Sequence, residues 1–465
     1  MGTNFVAERF FDGLKNKKTA FIGVGVSHND LIKMFLKKGL DVTVCDKRDK
    51  NALGDIYTEL KAMGADFSLG ENYLDAIFHC DIVFRTPGMY YLNPVLTKAR
   101  EMGIAVTSEM EVFFDLCPCE IIGITGTDGK TTTTTIITEM LEKSGKTVHK
   151  GGNIGRALLP VIDEISENDV AVVELSSFQL ISMRKSPQTA VVTNIYPDHL
   201  NVHKDMEEYV CAKKNLLLHQ TAFSRTVLNM DNLGTKALAD TVRGDLYMFS
   251  RREVPQRGAF LDSQGYLCFT DNGCTERLFS KDDIRIPGLH NVENYLAAIA
   301  ALHGRVTADD MRYTAMNFGG VEHRIEFVRE LEGVKYYNDS IATSPASVIA
   351  GLNAFSQKLI VIAGGSDKML DYSTMAGEIC SHVKLLVLTG DTADKIEAAV
   401  KASPLYSENE CRIIRADSME QAVKAAKDNA VSGDIVTLSP ASASFDRYRN
   451  FEERGRCYKA IVNAL

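Results

Sequence analysis

The stretch EIIGITGTDGKTTTTTIITEMLEKSGK, residues 120–146, decides the fold class. A short apolar strand, IIGIT, runs into a Gly-rich turn and then into a helix opened by threonines. Such a turn presents backbone N–H groups and the positive end of the helix to phosphate oxygens. Lys130 is placed to neutralise β and γ phosphates, and the Thr131 hydroxyl to ligate magnesium. The strict form of this loop would carry its first glycine at position 124, which is Ile. Residues Gly126, Thr127, Asp128, Gly129, Lys130, Thr131 and Thr132 therefore read as a variant P-loop on a strand–turn–helix unit.

Outward from that unit the same alternation repeats. Before it, TAFIGVGV (19–26) reads as a strand entering a Gly-rich turn, DLIKMFLKKG (30–39) as a helix and DVTVCD (41–46) as the next strand. CDIVFRTPG (80–88) and GIAVTSEMEVF (103–113) continue the pattern. After it, AVVELSSFQL (171–180) and TAVVTNIYPDH (189–199) are strands with polar ends, and PGLHNVENYLAAIAALHG (287–304) is helical by its apolar spacing. A third run follows, with YYNDSIATSP (336–345), KLIVIAGGSDK (358–368), KLLVLTG (384–390) and DIVTLSPASASFD (434–446). Strand–helix–strand repetition predicts parallel sheets with right-handed crossovers, hence an α/β protein in three segments. Ligands of such sheets lie beyond the carboxyl ends of the strands, where these polar loops fall.

Composition narrows the function classes. At 465 residues the chain exceeds one core, and its 45% hydrophobic and 24% charged content is ordinary for a globular protein. A net charge of −9 without a dominant Lys/Arg stripe argues against nucleic acid as a partner. The opening residues show no apolar run before a small-residue cleavage site, and no window is apolar enough for a membrane span. A soluble, cytoplasmic protein is expected. The ten cysteines are scattered, with only Cys117 and Cys119 close together, so reduced and mostly buried thiols are expected rather than a zinc site.

Three further loops bear on chemistry. Gly23 and Gly25, with Asp46 ending the next strand, resemble a dinucleotide fingerprint, but its third glycine is replaced by His28, which disfavours hydride transfer. The turn still offers N–H groups to a phosphate, and RTPG (85–88) either shares that ligand or is a Pro-Gly turn. Glu174 stands near the end of an apolar strand, where a carboxylate is costly unless it binds a cation or is paired. Magnesium takes hard oxygen ligands, which makes Glu174 with Thr131 a candidate set; a capping or salt-bridged glutamate is the plain alternative. Asp198 and His199 fall on the same edge. Lys213 and Lys214 follow on a helix and by composition alone are solvated lysines.

Together, TGTDGKTT, GGNIG (151–155), ELSSFQL, the Asp-His loop with a lysine 14 residues beyond His199, GLHNVENYLAA (288–298), His323-Arg324 and NDSIATSP (338–345) resemble the Mur ligase family, in its order and over nearly the whole chain. The resemblance implies a Rossmann-like N-terminal domain for a UDP-sugar precursor (1–109), a central P-loop ATPase-type domain (110–320) and a Rossmann-like C-terminal domain for an incoming amino acid (321–465). It implies ATP and magnesium, an acyl-phosphate route to an amide bond, and a monomer. ELSSFQL and LSPASASFDRYRNFEERG (438–455) are similar to the patterns of members that add D-glutamate to UDP-N-acetylmuramoyl-L-alanine.

Carried over residue by residue, the resemblance makes Lys130, Glu174, His199 and Lys213 catalytic, with Thr131 and Glu174 holding one magnesium and His199 and a carbamylated Lys213 placing a second. Asn291, Asn294, Arg324 and Asp339 join the ATP site. Val26, Ser27, Asp46, Lys47, Arg48, Thr86, Pro87, Gly88 and Asn153 fall to the UDP-sugar. Thr343, Lys368, Ser444, Phe445 and Phe451 fall to D-glutamate. Many members carry lysine after N-D-S where this chain has Ile341, so that lysine's role passes here to another group or is lost. The alternatives are a related amide ligase for another amino acid and a nucleotide-binding homologue without activity. Amide ligases that begin at the ATPase domain lack the first segment seen here.

Overall fold

The computed structural model describes residues 4–25, 28–200 and 202–465, and its strands form three sheets. The first sheet runs Asp66–Leu69, Asp41–Asp46, Lys18–Ile22, Ile82–Phe84, Ala105–Thr107, all parallel. Its order reverses between Lys18–Ile22 and Ile82–Phe84, so the Gly23 turn and the Arg85–Gly88 turn open side by side at the switch point. Helix Asn29–Lys37 follows the Gly23 turn and buries Leu31, Ile32 and Phe35. Gly39, in the left-handed region at φ 72°, stops it.

The second sheet has nine strands. Seven are parallel: Arg257–Leu261, Asp245–Ser250, Arg225–Asn229, Thr189–Val192, Glu120–Thr125, Val170–Glu174 and Val148–Gly152, in that order across the sheet. Two antiparallel strands, Tyr266–Asp271 and Cys274–Ser280, extend its edge. Strand Glu120–Thr125 lies inside the sheet and is buried, and Gly123 leaves room for its neighbours: a Cβ there would come within 2.8 Å of Pro187 Cγ. Helix Lys130–Lys143 leaves it through Gly129, whose φ of 78° suits glycine.

The third sheet runs Glu326–Leu331, Val334–Asn338, Ile435–Leu438, Leu359–Ala363, Val383–Leu388, Arg412–Arg415. All its pairings are parallel except the first. The chain divides into two compact units, one holding residues up to 281 with 293–314, the other holding 282–292 with 315–465. The first unit contains the Gly23 turn and the Gly126–Gly129 turn; the second contains the third sheet. The α/β architecture read from the sequence is the observed one. The reading passed over the hairpins of residues 257–280, whose turns DSQG (262–265) and NG (272–273) are ordinary hairpin signals. All ten cysteines are free thiols, six of them buried. Among the described residues no helix is long and apolar enough to cross a membrane.

Candidate active site

The central sheet brings three strand ends together. Ile124 pairs with Glu174, and Glu174 with Gly152, so the P-loop, the ELSSFQL segment and GGNIG leave adjacent strands at one level. The loop is tied down at nearly every residue. Asp128 N–H donates to Asn194 Oδ1 (2.8 Å), and the Thr193 hydroxyl donates to Asp128 O (2.6 Å). Thr127 Oγ1 accepts from Tyr196 N–H (2.9 Å) and meets Tyr209 OH at 3.0 Å. A Cβ on Gly126 would strike Thr193 Oγ1 at 1.9 Å, and one on Gly129 would strike Asn294 Oδ1 at 2.5 Å. Asn294 also accepts from the Thr133 hydroxyl at 3.1 Å. Lys130 Nζ donates to Thr127 O at 2.7 Å, while Thr131 and Thr132 are half-buried at the helix start.

Two charged groups are buried behind this loop. Glu174 is 1% exposed; its Oε1 accepts from Asn153 Nδ2 at 2.8 Å, and Oε2 has no partner among the described residues. A buried carboxylate oxygen left so calls for a cation. Lys213 is 2% exposed on helix Met206–Leu218, donates to Gly126 O at 2.7 Å and lies 4.6 Å from the Tyr209 ring. Burial, aided by the charge of Lys130, pushes its ammonium down to about 7. Lys214, the next residue, instead lines a 540 Å³ cavity with Tyr91, Leu92 and Cys211. His199 lies in the left-handed region at φ 54°, with its ring 48% exposed, 3.4 Å from Asp198 Oδ2. Among the described residues no three His, Cys, Asp or Glu side chains converge to hold a metal unaided. A divalent cation here would draw on Glu174 and on oxygens brought by a nucleotide or a modified lysine.

At the switch point of the first sheet, Asp46 accepts from Val24 N–H (2.9 Å) and from Arg48, whose Nη2 also reaches Val24 O (2.7 Å). Burial would raise the Asp46 carboxyl, but Arg48 and the Val24 N–H hold it below its usual range. Thr86 and Pro87 are half-buried, Gly88 and Lys47 exposed, and Gly23 lies against Thr86. Val26 and Ser27 lie outside the described residues. His28 is buried and pushed down to about 4 by that burial; its Nδ1 meets Gly23 O at 3.0 Å.

In the second unit, Asn291 donates to Pro287 O at 2.5 Å. Asp339 is buried and accepts from Ser439 Oγ (3.0 Å) and Ile325 N–H (3.2 Å); burial raises its carboxyl to about 7. Arg324 is exposed. The strand ends after Val334–Asn338, Leu359–Ala363 and Ile435–Leu438 gather Thr343, Lys368 and Ser444 on one edge. Ser444 is buried, Thr343 and Phe451 half-buried, and Phe445 is 67% exposed with the Lys368 ammonium 5.8 Å over its ring. Ile341 is half-buried and adds no charge.

Sequence reasoning missed the residues that hold these loops. Arg85, buried within the RTPG turn, donates to Phe178 O (2.9 Å) and Ser182 Oγ (2.6 Å). Arg454 is buried and donates to Ser340 O and Oγ and to the carbonyls of Ser442 and Ala443. His203, Glu208 and Tyr90 form a hydrogen-bonded chain to Ser177. Arginines this deeply buried are indistinguishable in sequence from solvated ones.

Known proteins resemble the chain in every segment. The Mur ligase MurD-like N-terminal domain matches residues 17–108, the Mur ligase middle domain 124–302 and the Mur ligase glutamate ligase domain 323–442. The chain is 51% identical over 454 residues to a UDP-N-acetylmuramoylalanine--D-glutamate ligase of Acetivibrio thermocellus, covering 97% of each. It is 46% identical over 468 residues to the protein of that name in Clostridium botulinum strain Hall, covering all of both. Among solved structures, the UDP-N-acetylmuramate-alanine ligase MurC of Thermotoga maritima is similar in fold, with a TM-score of 0.59 at 18% identity over 97% of this chain and 100% of that one.

Proposed function

The chain belongs to the Mur ligase family, and we infer that it is an ATP-dependent, ADP-forming ligase joining D-glutamate to UDP-N-acetylmuramoyl-L-alanine in peptidoglycan precursor synthesis. One observation carries the chemistry: a buried carboxylate with a free oxygen and a buried lysine lie behind a phosphate loop. We assign residues 1–109 to the UDP-sugar, 110–320 to ATP and 321–465 to the amino acid, and take the working form to be a cytoplasmic monomer.

The precursor's carboxylate attacks the γ phosphorus, ADP leaves, and an acyl phosphate results. The amine of D-glutamate then adds to the acyl carbon, its nitrogen gives up a proton to solvent, and the tetrahedral intermediate expels phosphate. Phosphoryl transfer of this kind is catalysed by positioning and charge neutralisation. The loop N–H groups and Lys130 would orient the triphosphate, with Lys130 exchanging Thr127 O for a phosphate oxygen. Thr131 and Glu174 would hold one magnesium ion and His199 with a carbamylated Lys213 a second, which when bound would supply Lewis-acid neutralisation of the transferring group. Lys213 suits carbamylation: its amine is buried, and near neutral pH a large share is unprotonated. The lone pair of that amine bonds to the carbon of carbon dioxide and the displaced N–H proton leaves to solvent, giving an anionic oxygen donor where a buried cation was costly. Asn153 would steer Glu174, Asn294 the loop, and Asn291, Arg324 and Asp339 the rest of the nucleotide. Asp46, Lys47, Arg48, Thr86, Pro87, Gly88 and Asn153, with Val26 and Ser27, are assigned to the UDP-sugar. Thr343, Lys368, Ser444, Phe445 and Phe451 are assigned to D-glutamate.

Phosphate release from ATP with UDP-N-acetylmuramoyl-L-alanine tests this, with D-glutamate, L-glutamate, D-aspartate and L-lysine offered separately. Release that requires D-glutamate and is lost in Lys130→Ala is the expected result. Release with another amino acid overturns the glutamate assignment alone; none with any pair, in folded protein, overturns the ligase.

A further inference from the structure

Four polar groups of the first unit form an unbroken chain that the motifs do not account for. The Tyr90 hydroxyl donates to Glu208 Oε1. Glu208 Oε2 lies 3.1 Å from His203 Nδ1, and His203 Nε2 lies 2.9 Å from Ser177 Oγ. A carboxylate only accepts, so Nδ1 carries the proton and Nε2 accepts from the Ser177 hydroxyl. The Ser–His–Glu order is that of an activated nucleophile. Ser177 is 1% exposed, however, and attack needs an oxygen that a substrate can reach. The chain is a strut.

What it joins gives it a role. Ser177 opens the short helix Ser177–Leu180, three residues after Glu174. Ser176 caps that helix in a capping box with Gln179, so the segment is rigid from the strand end onward. At its other side His203 N–H donates to His199 O at 3.0 Å. The Phe178 ring serves both histidines: it stacks on His203 at 5.2 Å with the planes 2° apart, and meets His199 at 4.9 Å. The half-exposed His199 ring is therefore aimed by a left-handed backbone and by Phe178, and both rest on His203. Tyr90, two residues beyond Gly88, brings the loop assigned to the UDP-sugar into the same strut.

We propose that His203 is a positioning residue for the divalent cations, holding the Glu174 and His199 segments at fixed separation through Ser177, Phe178 and Glu208. The proposal rests on the ligase reading. Outer partners that orient metal ligands commonly change metal affinity by about 10–100-fold when removed, which sets the scale of the effect.

Two substitutions divide the strut. His203→Asn keeps an amide N–H for Glu208 and abandons Ser177; His203→Gln reaches Ser177 and abandons Glu208. Each is expected to raise the Mg²⁺ concentration for half-maximal velocity by about tenfold, leaving KM for ATP and D-glutamate within about twofold. Mn²⁺ affinity beside a non-hydrolysable ATP analogue, read by electron paramagnetic resonance without turnover, should weaken by the same factor. Ser177→Ala should reproduce the shift and add little to His203→Asn, because both cut one strut. If the histidine variants do not fold, Ser177→Ala and Tyr90→Phe, each lacking one hydroxyl, carry the same measurement. Unchanged Mn²⁺ affinity in folded variants overturns the positioning role and leaves the ligase standing. Wild-type protein that binds no Mn²⁺ beside the analogue overturns both.

Discussion

Lys213 and Lys368 are both assigned to anionic chemistry, and they occupy opposite surroundings. Lys213 is buried against a backbone carbonyl and the Tyr209 ring, where burial lowers its ammonium to about 7. Lys368 is exposed, with its ammonium over the exposed ring of Phe445. The contrast extends to their neighbours. Behind the P-loop, Glu174 and Thr193 are buried and bonded, whereas on the C-terminal edge Phe445 and Met369 stand in solvent. Burial converts a lysine from a cation into an amine able to form a covalent bond; exposure leaves it a cation that can only attract. Reaction groups are thus expected to govern rate, and exposed amino-acid contacts to govern binding.

The severest test removes the charge of Glu174 while keeping its shape. Glu174→Gln preserves an oxygen for Asn153 Nδ2, so the fold should hold, but it leaves no anion for a cation. We expect kcat to fall roughly 100–1,000-fold, about 3–4 kcal/mol in the barrier, with KM for D-glutamate little changed. Steady-state kinetics at saturating Mg²⁺ checks it. A variant whose loss lay mainly in KM would break the comparison at its buried end.

The same rule acts away from the phosphate loop, at Glu109. This carboxyl is buried, accepts the N–H groups of Leu158 (3.0 Å) and Leu159 (2.8 Å), and is raised by burial to about 7. A folded value above the unfolded one, about 4.3, means the native state holds the proton more tightly. Its contribution to stability is complete below the unfolded value and is lost as the pH rises through about 7. Glu109→Gln keeps an acceptor and has no proton to lose. Between about pH 5 and about pH 8 the variant should gain on wild type by up to about 3 kcal/mol, read as converging and then crossing melting temperatures. A constant difference across that range would mean the carboxyl is solvated.

What could be read in the sequence divides along the same line. Strand ends, Gly-rich turns and the P-loop follow from local patterns, since a buried strand, a left-handed glycine and a helix start each leave a signature within a few residues. The choice of Lys213 over Lys214 rested on resemblance; in the fold one faces the loop and its neighbour a separate cavity. His203 escaped, although Glu208 is only 5 residues on, because its other partner, Ser177, lies 26 residues back. Arg85 and Arg454 escaped because partners lie far along the chain, 93 and 97 positions away for Arg85 and 114 for Arg454. Nothing local distinguishes such an arginine from a surface one. The hairpins of residues 257–280 are a different failure, for their turns were legible and the expectation of a helix after every strand hid them.

The mildest prediction tests the exposed end. Lys368 is exposed and lies over the exposed ring of Phe445, so Lys368→Ala should open no cavity and alter stability by no more than about 0.5 kcal/mol. If it serves as the cation for a glutamate carboxylate, its loss removes attraction that acts in the ground state and the transition state alike. That signature is a KM for D-glutamate raised about tenfold, with kcat and KM for ATP nearly constant. Added salt should narrow the gap, because an exposed charge is screened over about 8–10 Å at ordinary ionic strength. Ile341 offers no charge to share the task, so the effect should not be masked by the neighbouring loop. A fall in kcat instead, insensitive to salt, would mean that Lys368 works as a desolvated group in the reacting complex, and the distinction between the two lysines would then belong to the resting fold alone.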